Sequence, residues 1–171
     1  MLFKRWLPFS LFMACSGLAS ASTTYRQDTF HWLNTSGGSY HTAGNWTPSG
    51  GPPLFDDFAR FGLSSTYGVS FANNGTQTID FRVTNGNVTF SYLNTTAIHN
   101  WGSAGTNIVG PAAGDANSSA TLNLINMFNN PMRGGNLIIG QAAGKTATLN
   151  IFSNGHWQGW ESPSKIGRAH V

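Results

Sequence analysis

Asp56 and Asp57 form the one adjacent acidic pair in a chain of 171 residues that carries six acidic side chains. Paired carboxylates can ligate calcium or divide into a general acid and its base. Neighbouring residues of a strand point to opposite faces, though, and this pair follows Pro52-Pro53. The expected role is therefore a turn in which Asp side chains accept backbone amides. Asp80 and Asp115 stand far off in sequence. A fold that stacks distant strands could bring such carboxylates together on adjacent layers. Three or more of Asp56, Asp57, Asp80, Asp115, Arg82 and Arg133 in one groove would be the arrangement of a carbohydrate-active enzyme, a polysaccharide lyase or hydrolase.

The other reactive side chains form no constellation. His31, His41, His99 and His156 lack metal-ligand spacing and are expected at the surface or at strand edges. The sequence has no G-x-S-x-G for a nucleophile elbow. Neither Gly102–Gly105 nor Gly134-Gly135 is followed by Lys-Ser/Thr and a helix, so no phosphate loop exists. Trp32, Trp46, Trp101, Trp157 and Trp160 could stack on sugar faces as a glycan-binding module. For Trp32 and Trp46 the preferred role is to close an otherwise open end of the core. The Asn-x-Ser/Thr sites at Asn45, Asn74, Asn87 and Asn94 would be glycan acceptors in a eukaryotic secreted protein; in a bacterial one they are turn residues and stacked Asn. The expectation is no catalytic, cofactor-binding or metal-binding residue, and no cofactor.

Charge narrows the partners. The formal net charge is +3, but Lys4, Arg5, Lys165 and Arg168 lie at the two ends. Without them five basic residues face six acidic ones. Arg26, Arg60, Arg82, Arg133 and Lys145 are scattered, whereas phosphate recognition needs clustered positive charge, so nucleic acid is excluded. Charged residues make up only 9% and aromatics 13%, which argues against both a disordered chain and a helical bundle. One cysteine rules out a disulfide framework or a Cys-cluster metal site.

Residues 1–21 have the form of a secretory signal peptide: Lys4-Arg5, a short apolar run, then Ala19-Ser20-Ala21 before Ser22. That run is too short to span a bilayer, so no membrane insertion of the mature segment is expected. Cleavage at a lipobox before Cys15 is the alternative, and Phe12 and Met13 fit it poorly. Back-translated, residues 165–171 resemble a sequencing-adapter oligonucleotide read in frame. The expected layout is a leader at 1–21, an N-terminal cap region at 22–66, incomplete repeats at 67–161, and an unstructured tail at 162–171 that is adapter-derived from 165. On that layout the chain is the N-terminal piece of a longer protein, and its last strand layer is left open.

The most informative feature is a repeat. Ile108-Val109-Gly110-Pro111-Ala112-Ala113-Gly114 leads to Ala120-Thr121-Leu122-Asn123-Leu124. Ile138-Ile139-Gly140-Gln141-Ala142-Ala143-Gly144 leads to Ala147-Thr148-Leu149-Asn150-Ile151. Gly110 and Gly140 stand 30 residues apart, Leu122 and Leu149 27 apart; the difference falls in the polar stretch 115–119. Periods of this size mark stacked repeats. Alternation in Thr121–Leu124, Thr148–Ile151, Thr78–Val83 and Asn87–Tyr92 has the strand period, with Leu122, Leu124, Leu149 and Ile151 on one face and Asn123 and Asn150 on the other. The predicted fold is all-β, a right-handed parallel β-helix (solenoid) with an antiparallel N-terminal cap region. Asn85-Gly86 leaves a local hairpin open.

The segment Leu137-Ile138-Ile139-Gly140 through Ile151 resembles the repeat of bacterial autotransporter and PEP-CTERM-associated β-helix proteins. Trp32, Gly44-Asn45-Trp46, Gly51-Pro52-Pro53 and Asp56 through Phe61 are similar to the opening of large surface proteins of that type, and the resemblance covers most of 30–160. It implies a secreted or cell-surface passenger at the bacterial outer membrane, exported by the general secretory route, structural or adhesin-like and not an enzyme. Its implied partners are glycans or host and cell-surface components.

Overall fold

The structure, a computed structural model, describes residues 27–72, 76–95, 99–101, 105–127, 131–152, 154–159 and the strand residues 166–168. The expected leader, Cys15, Asn74 and Trp160 lie outside them. Strands β1 (Thr29–Trp32), β2 (Gly38–Ser39) and β3 (Trp46–Thr47) come first, with a three-residue 3-10 helix at Ala43–Asn45 before β3. Then follow β4 (Phe58–Phe61), β5 (Thr66–Phe71), β6 (Thr76–Thr78), β7 (Asp80–Val83), β8 (Gly86–Tyr92) and β9 (His99–Trp101). The last are β10 (Thr106–Val109), β11 (Ser119–Ile125), β12 (Met132–Gly134), β13 (Asn136–Ile139), β14 (Thr146–Ile151), β15 (Trp157–Gly159) and β16 (Ile166–Arg168).

The chain is all-β, and its strands form three sheets. Sheet 1 runs β3-β1-β4-β7-β10-β13-β16, sheet 2 runs β2-β5-β8-β11-β14, and sheet 3 runs β6-β9-β12-β15. From β4 to β15 consecutive strands fall in sheets 1, 2 and 3 in turn, so each strand pairs with the one three places later. Every pairing is parallel except β1 with β3, which is antiparallel. The antiparallel pairing expected near the N-terminal end is thus present, while Phe58–Phe61, inside the expected cap region, already belongs to the three-sheet rotation. Asn85-Gly86 closes no hairpin. It turns the chain from β7 in sheet 1 to β8 in sheet 2, with Gly86 at φ 70°.

Alternation explains which side chains enter the core. β5 and β8 bury Tyr67, Val69, Phe71, Val88, Phe90 and Tyr92 and turn the residues between them outward. Residues from all three sheets join one cluster that runs from Phe30 and Trp32 through Phe81, Phe90 and Trp101 to Leu122, Leu124, Met132 and Leu137. The repeat sits in the predicted register: Leu122 pairs with Leu149, Leu124 with Ile151, and Val109 with Ile139.

The length difference between the two repeats is absorbed in the loop before β11. Asp115 there accepts the Ala112 amide (2.7 Å), and Lys145 Nζ reaches across to the carbonyls of Asp115 (2.8 Å) and Asn117 (2.7 Å). Gly110 and Gly140 turn the corner at matched positions. Gly110 has φ 135°, and a Cβ on it would lie 3.0 Å from Ala147 Cβ and 3.3 Å from Gly140 Cα. A side chain at Gly110 would push the stacked corners apart.

Two expectations about the far end need correction. Leu149 was expected to be buried like Leu122, but it is only partly covered, and Ile151 and Phe152 are 49% and 55% exposed. No described strand lies on the far edge of β14, so its apolar face lacks the neighbour that β14 itself supplies to Leu122 and Leu124. The tail was expected to be unstructured and to pack against nothing. Its residues Ile166–Arg168 instead form β16, in parallel register with Leu137–Ile139. The physical reason is the edge of β13, whose free amides and carbonyls are a template for any extended segment.

Candidate functional site

Sheet 1 carries the densest group of charged side chains. Its strands put Phe30, Trp32, Ala59, Phe61, Phe81 and Val83 into the core. By alternation Thr29, His31, Phe58, Arg60, Asp80 and Arg82 face outward. Register then stacks them: His31 opposes Arg60, Arg60 opposes Arg82, and Phe58 opposes Asp80. Ile108 continues the row beyond Arg82, and Ile138 continues it beyond Ile108.

The polar contacts on this face are short. Arg60 Nη1 donates to Asp80 Oδ1 at 2.6 Å in an ion pair whose side chains are 17% and 8% exposed. The same nitrogen donates to the Ala59 carbonyl (3.0 Å), and the guanidinium lies 5.0 Å from the centre of the Phe58 ring. Burial pulls the Arg60 guanidinium below its ordinary value; the bond to Asp80 opposes that, and the neighbouring Arg82 adds to it. Arg82 is half-buried, and its enclosed Nε has no acceptor among the described residues.

The other acidic and basic candidates do not converge here. Asp57 is a turn residue, as its place after the prolines suggested: its carboxylate accepts the amides of Asp28 (3.1 Å) and Leu54 (2.8 Å). Asp115 is tied into its own loop. Arg133 lies on sheet 3, where Nε donates to Gln158 (3.2 Å). Of the six residues singled out for a shared groove, only Asp80 and Arg82 occupy one face. The residue that joins them, Arg60, is one of the bases scattered along the sequence. A signal existed: Ala59-Arg60-Phe61 and Phe81-Arg82-Val83 share one alternating pattern, and aligning them places Arg60 on Arg82.

The histidine expectation fails at one position. His31 and His156 are exposed, but His99 is fully buried. Its ring lies 4.2 Å from Trp101, 4.6 Å from Phe71 and 4.7 Å from Tyr40, and among the described residues neither ring nitrogen has a hydrogen-bond partner. Burial, with a smaller contribution from His41, holds the imidazole well below its usual range and so neutral. β9 alternates His99, Asn100, Trp101, and the face that buries Trp101 must also bury His99. No group of three or more His, Cys, Asp or Glu among the described residues could hold a metal ion.

Among the described residues the tryptophans do not form a sugar-stacking surface. Trp32, Trp46 and Trp101 are buried and Trp157 is half-buried. Trp32 packs edge-on to Trp46 at 5.1 Å and stacks on Tyr67 at 6.3 Å, and Trp46 Nε1 donates to the Tyr40 carbonyl (2.8 Å). These rings lie where the sheets begin.

Of the asparagines expected in turns or stacks, Asn87 stacks, and Asn123 and Asn150, expected only to face outward, join it. Asn150 Nδ2 donates to Asn123 Oδ1 at 2.9 Å; Asn123 Nδ2 in turn contacts Asn87 Oδ1 at 2.6 Å and Thr89 Oγ1 at 3.2 Å. Asn123 points away from Leu122 as expected, yet its neighbours leave it only 8% exposed. Asn45 is buried and donates to the Ser39 carbonyl, and Asn94 donates to the Ala72 carbonyl.

The class that fold and face define is an all-β protein of parallel sheets with a charged row on one outer surface. Compared with known protein families, with curated proteins and with solved structures, the chain gives no match.

Proposed function

We propose that the chain is a segment of a secreted or surface-displayed right-handed parallel β-helix that serves as a structural stalk or adhesin-like passenger, with no catalytic step of its own. The observation that carries this reading is the rotation of strands through three sheets, each pairing with the strand three places on around one shared core. Parallel connections are right-handed almost without exception. An array of this kind grows in length by adding like layers, which suits a protein that must reach outward from a surface. The leader-like residues 1–21 and the resemblance to autotransporter and PEP-CTERM-associated repeats support export, with glycans or cell-surface components as partners.

The test is expression in a bacterial host with residues 1–21 present, followed by fractionation and N-terminal sequencing. The expected result is exported protein that begins at Ser22 and is cut when intact cells are treated with protease. Cytoplasmic protein that still carries residues 1–21 would overturn the reading.

A carbohydrate-active enzyme is the second reading, and the row His31, Arg60, Arg82 with Asp80 favours it. It is the weaker one because Asp80 is engaged by Arg60 and Asp57 by backbone amides. Turnover of an acidic polysaccharide that is lost on Asp80→Asn would establish it.

A further inference from the structure

We propose that Arg82, with Arg60 beside it, binds an oxyanion, a sulfate or a carboxylate, on the outer face of sheet 1. Arg60 and Arg82 stand directly opposite each other on paired parallel strands, separated by about 4.8 Å of backbone. Like charges so placed repel and destabilise a sheet. One carboxylate, Asp80, stands two residues before Arg82 on the same strand and opposite Phe58, and Arg60 holds it at 2.6 Å. Arg60 is further satisfied by the Ala59 carbonyl and the Phe58 ring. Arg82 has none of this: among the described residues its enclosed Nε meets no acceptor, and it is the terminal Nη groups of this half-buried side chain that an ion can reach.

An enclosed donor without a partner is costly, and the outer edge of a guanidinium, its two Nη groups, is a planar fork that fits a carboxylate or sulfate through two parallel hydrogen bonds. The surroundings strengthen that attraction. On one side Arg60 and, beyond it, the exposed His31 continue the row. On the other side Ile108, only 7% exposed, supplies an apolar wall that lowers the local dielectric. The proposal does not depend on export or on the β-helix reading, since it uses only the register of β1, β4, β7 and β10.

The experiment measures the unfolding of the full chain while sodium sulfate, and separately sodium glucuronate, replaces chloride at constant ionic strength. A saturable stabilisation is expected, approaching about a hundred-fold in the folding equilibrium at a hundred-fold excess over Kd. The anion that saturates at lower concentration identifies whether a free inorganic ion or a sugar carboxylate is the better ligand. Arg82→Gln should lose the response and, without added anion, be no less stable than the parent, because the repulsion with Arg60 is gone. Arg82→Lys should keep a weakened response, and Arg133→Gln the full one. In the parent protein the Arg82 Nε–H resonance should shift along the same titration, which gives a readout even where a variant does not fold. A parent that responds to neither anion beyond chloride, an Arg82→Gln that responds like the parent, or an unmoved Nε–H resonance would each overturn the proposal.

Discussion

The end of the molecule around β1 to β9 and the end around β10 to β15 share one strand rotation but fill it with different side chains. Trp32, Tyr40, Trp46, Phe61, Tyr67, Phe71, Phe81, Phe90 and Trp101 crowd the first part, with ring centres commonly 5 to 6 Å apart. The second part holds Val109, Ala120, Leu122, Leu124, Leu137 and Met132, then the half-covered Ile139 and Leu149. Large rings fill the interior where the sheets begin, and two tryptophans set edge-on finish it. The repeated part uses small corners and like-on-like aliphatic stacking, and each layer depends on the next to cover it. A layer made of varied aromatic residues can therefore close an end, whereas a layer made of a repeat is suited to continue.

The contrast is tested first where the loss should be largest. Phe90→Ala, in a ring cluster with no exposed surface, should cost about 3–5 kcal/mol in chemical denaturation. The paired substitutions Leu122→Ala and Leu149→Ala sharpen the comparison, since the two leucines oppose each other in neighbouring strands. Leu122, fully buried, should cost about 2–5 kcal/mol, and Leu149 less than half of what Leu122 costs. Equal losses would mean that the far edge of β14 is covered as well as β11 is, and would erase the difference between the ends.

The aromatic part should also carry a pH dependence that the repeated part lacks. At pH above about 6.5, the ordinary value for histidine, His99 is neutral folded and unfolded and contributes no slope. Below it the unfolded chain takes up a proton that the buried ring cannot. Stability should then fall as pH drops, by up to about 1.4 kcal/mol per unit, until the folded-state value is reached. His41, lowered by burial to a lesser degree, adds to the same sign. His99→Phe should flatten most of that slope between pH 6.5 and 5 in denaturation midpoints, and a slope unchanged by the substitution would assign it elsewhere.

The smallest effect separates the two asparagines. Asn123→Ala removes a buried amide that donates towards Asn87 and Thr89 and accepts from Asn150, and should cost about 1–2 kcal/mol. Asn150, at the last described rung of that row, should cost about half a kcal/mol or less. A larger loss at Asn150 would show that a further partner lies beyond it.

Much of the repeated part was legible because identical residues at a fixed offset have one economical solution, stacking in register. The offsets of Gly110 to Gly140 and Leu122 to Leu149 carried the pairing of β10 with β13 and β11 with β14, and placed the three-residue difference in a loop. Strand alternation likewise assigned the inward faces of β5, β7 and β8. The aromatic part shows no such long repeat: the short match of Ala59-Arg60-Phe61 to Phe81-Arg82-Val83 marks Arg60 on Arg82, but the rest of the pairing there is settled by how rings of unequal size fit together, which no spacing rule encodes.

Local sequence determined which residues alternate, where glycine permits a corner, and that Asp57 would accept a nearby amide, that of Leu54, because each depends on neighbours a few positions away. Tertiary structure alone decided that His99 is sealed among Tyr40, Phe71 and Trp101, that Asp80 is claimed by Arg60, and that the Arg82 Nε finds no acceptor among the described residues. Those outcomes rest on which strand lies beside which, and that is set by burying one common core from residues 20 to 40 positions apart. The same chemistry, a histidine or an arginine in a short strand, is inert or consequential according to the neighbour that the long-range packing supplies.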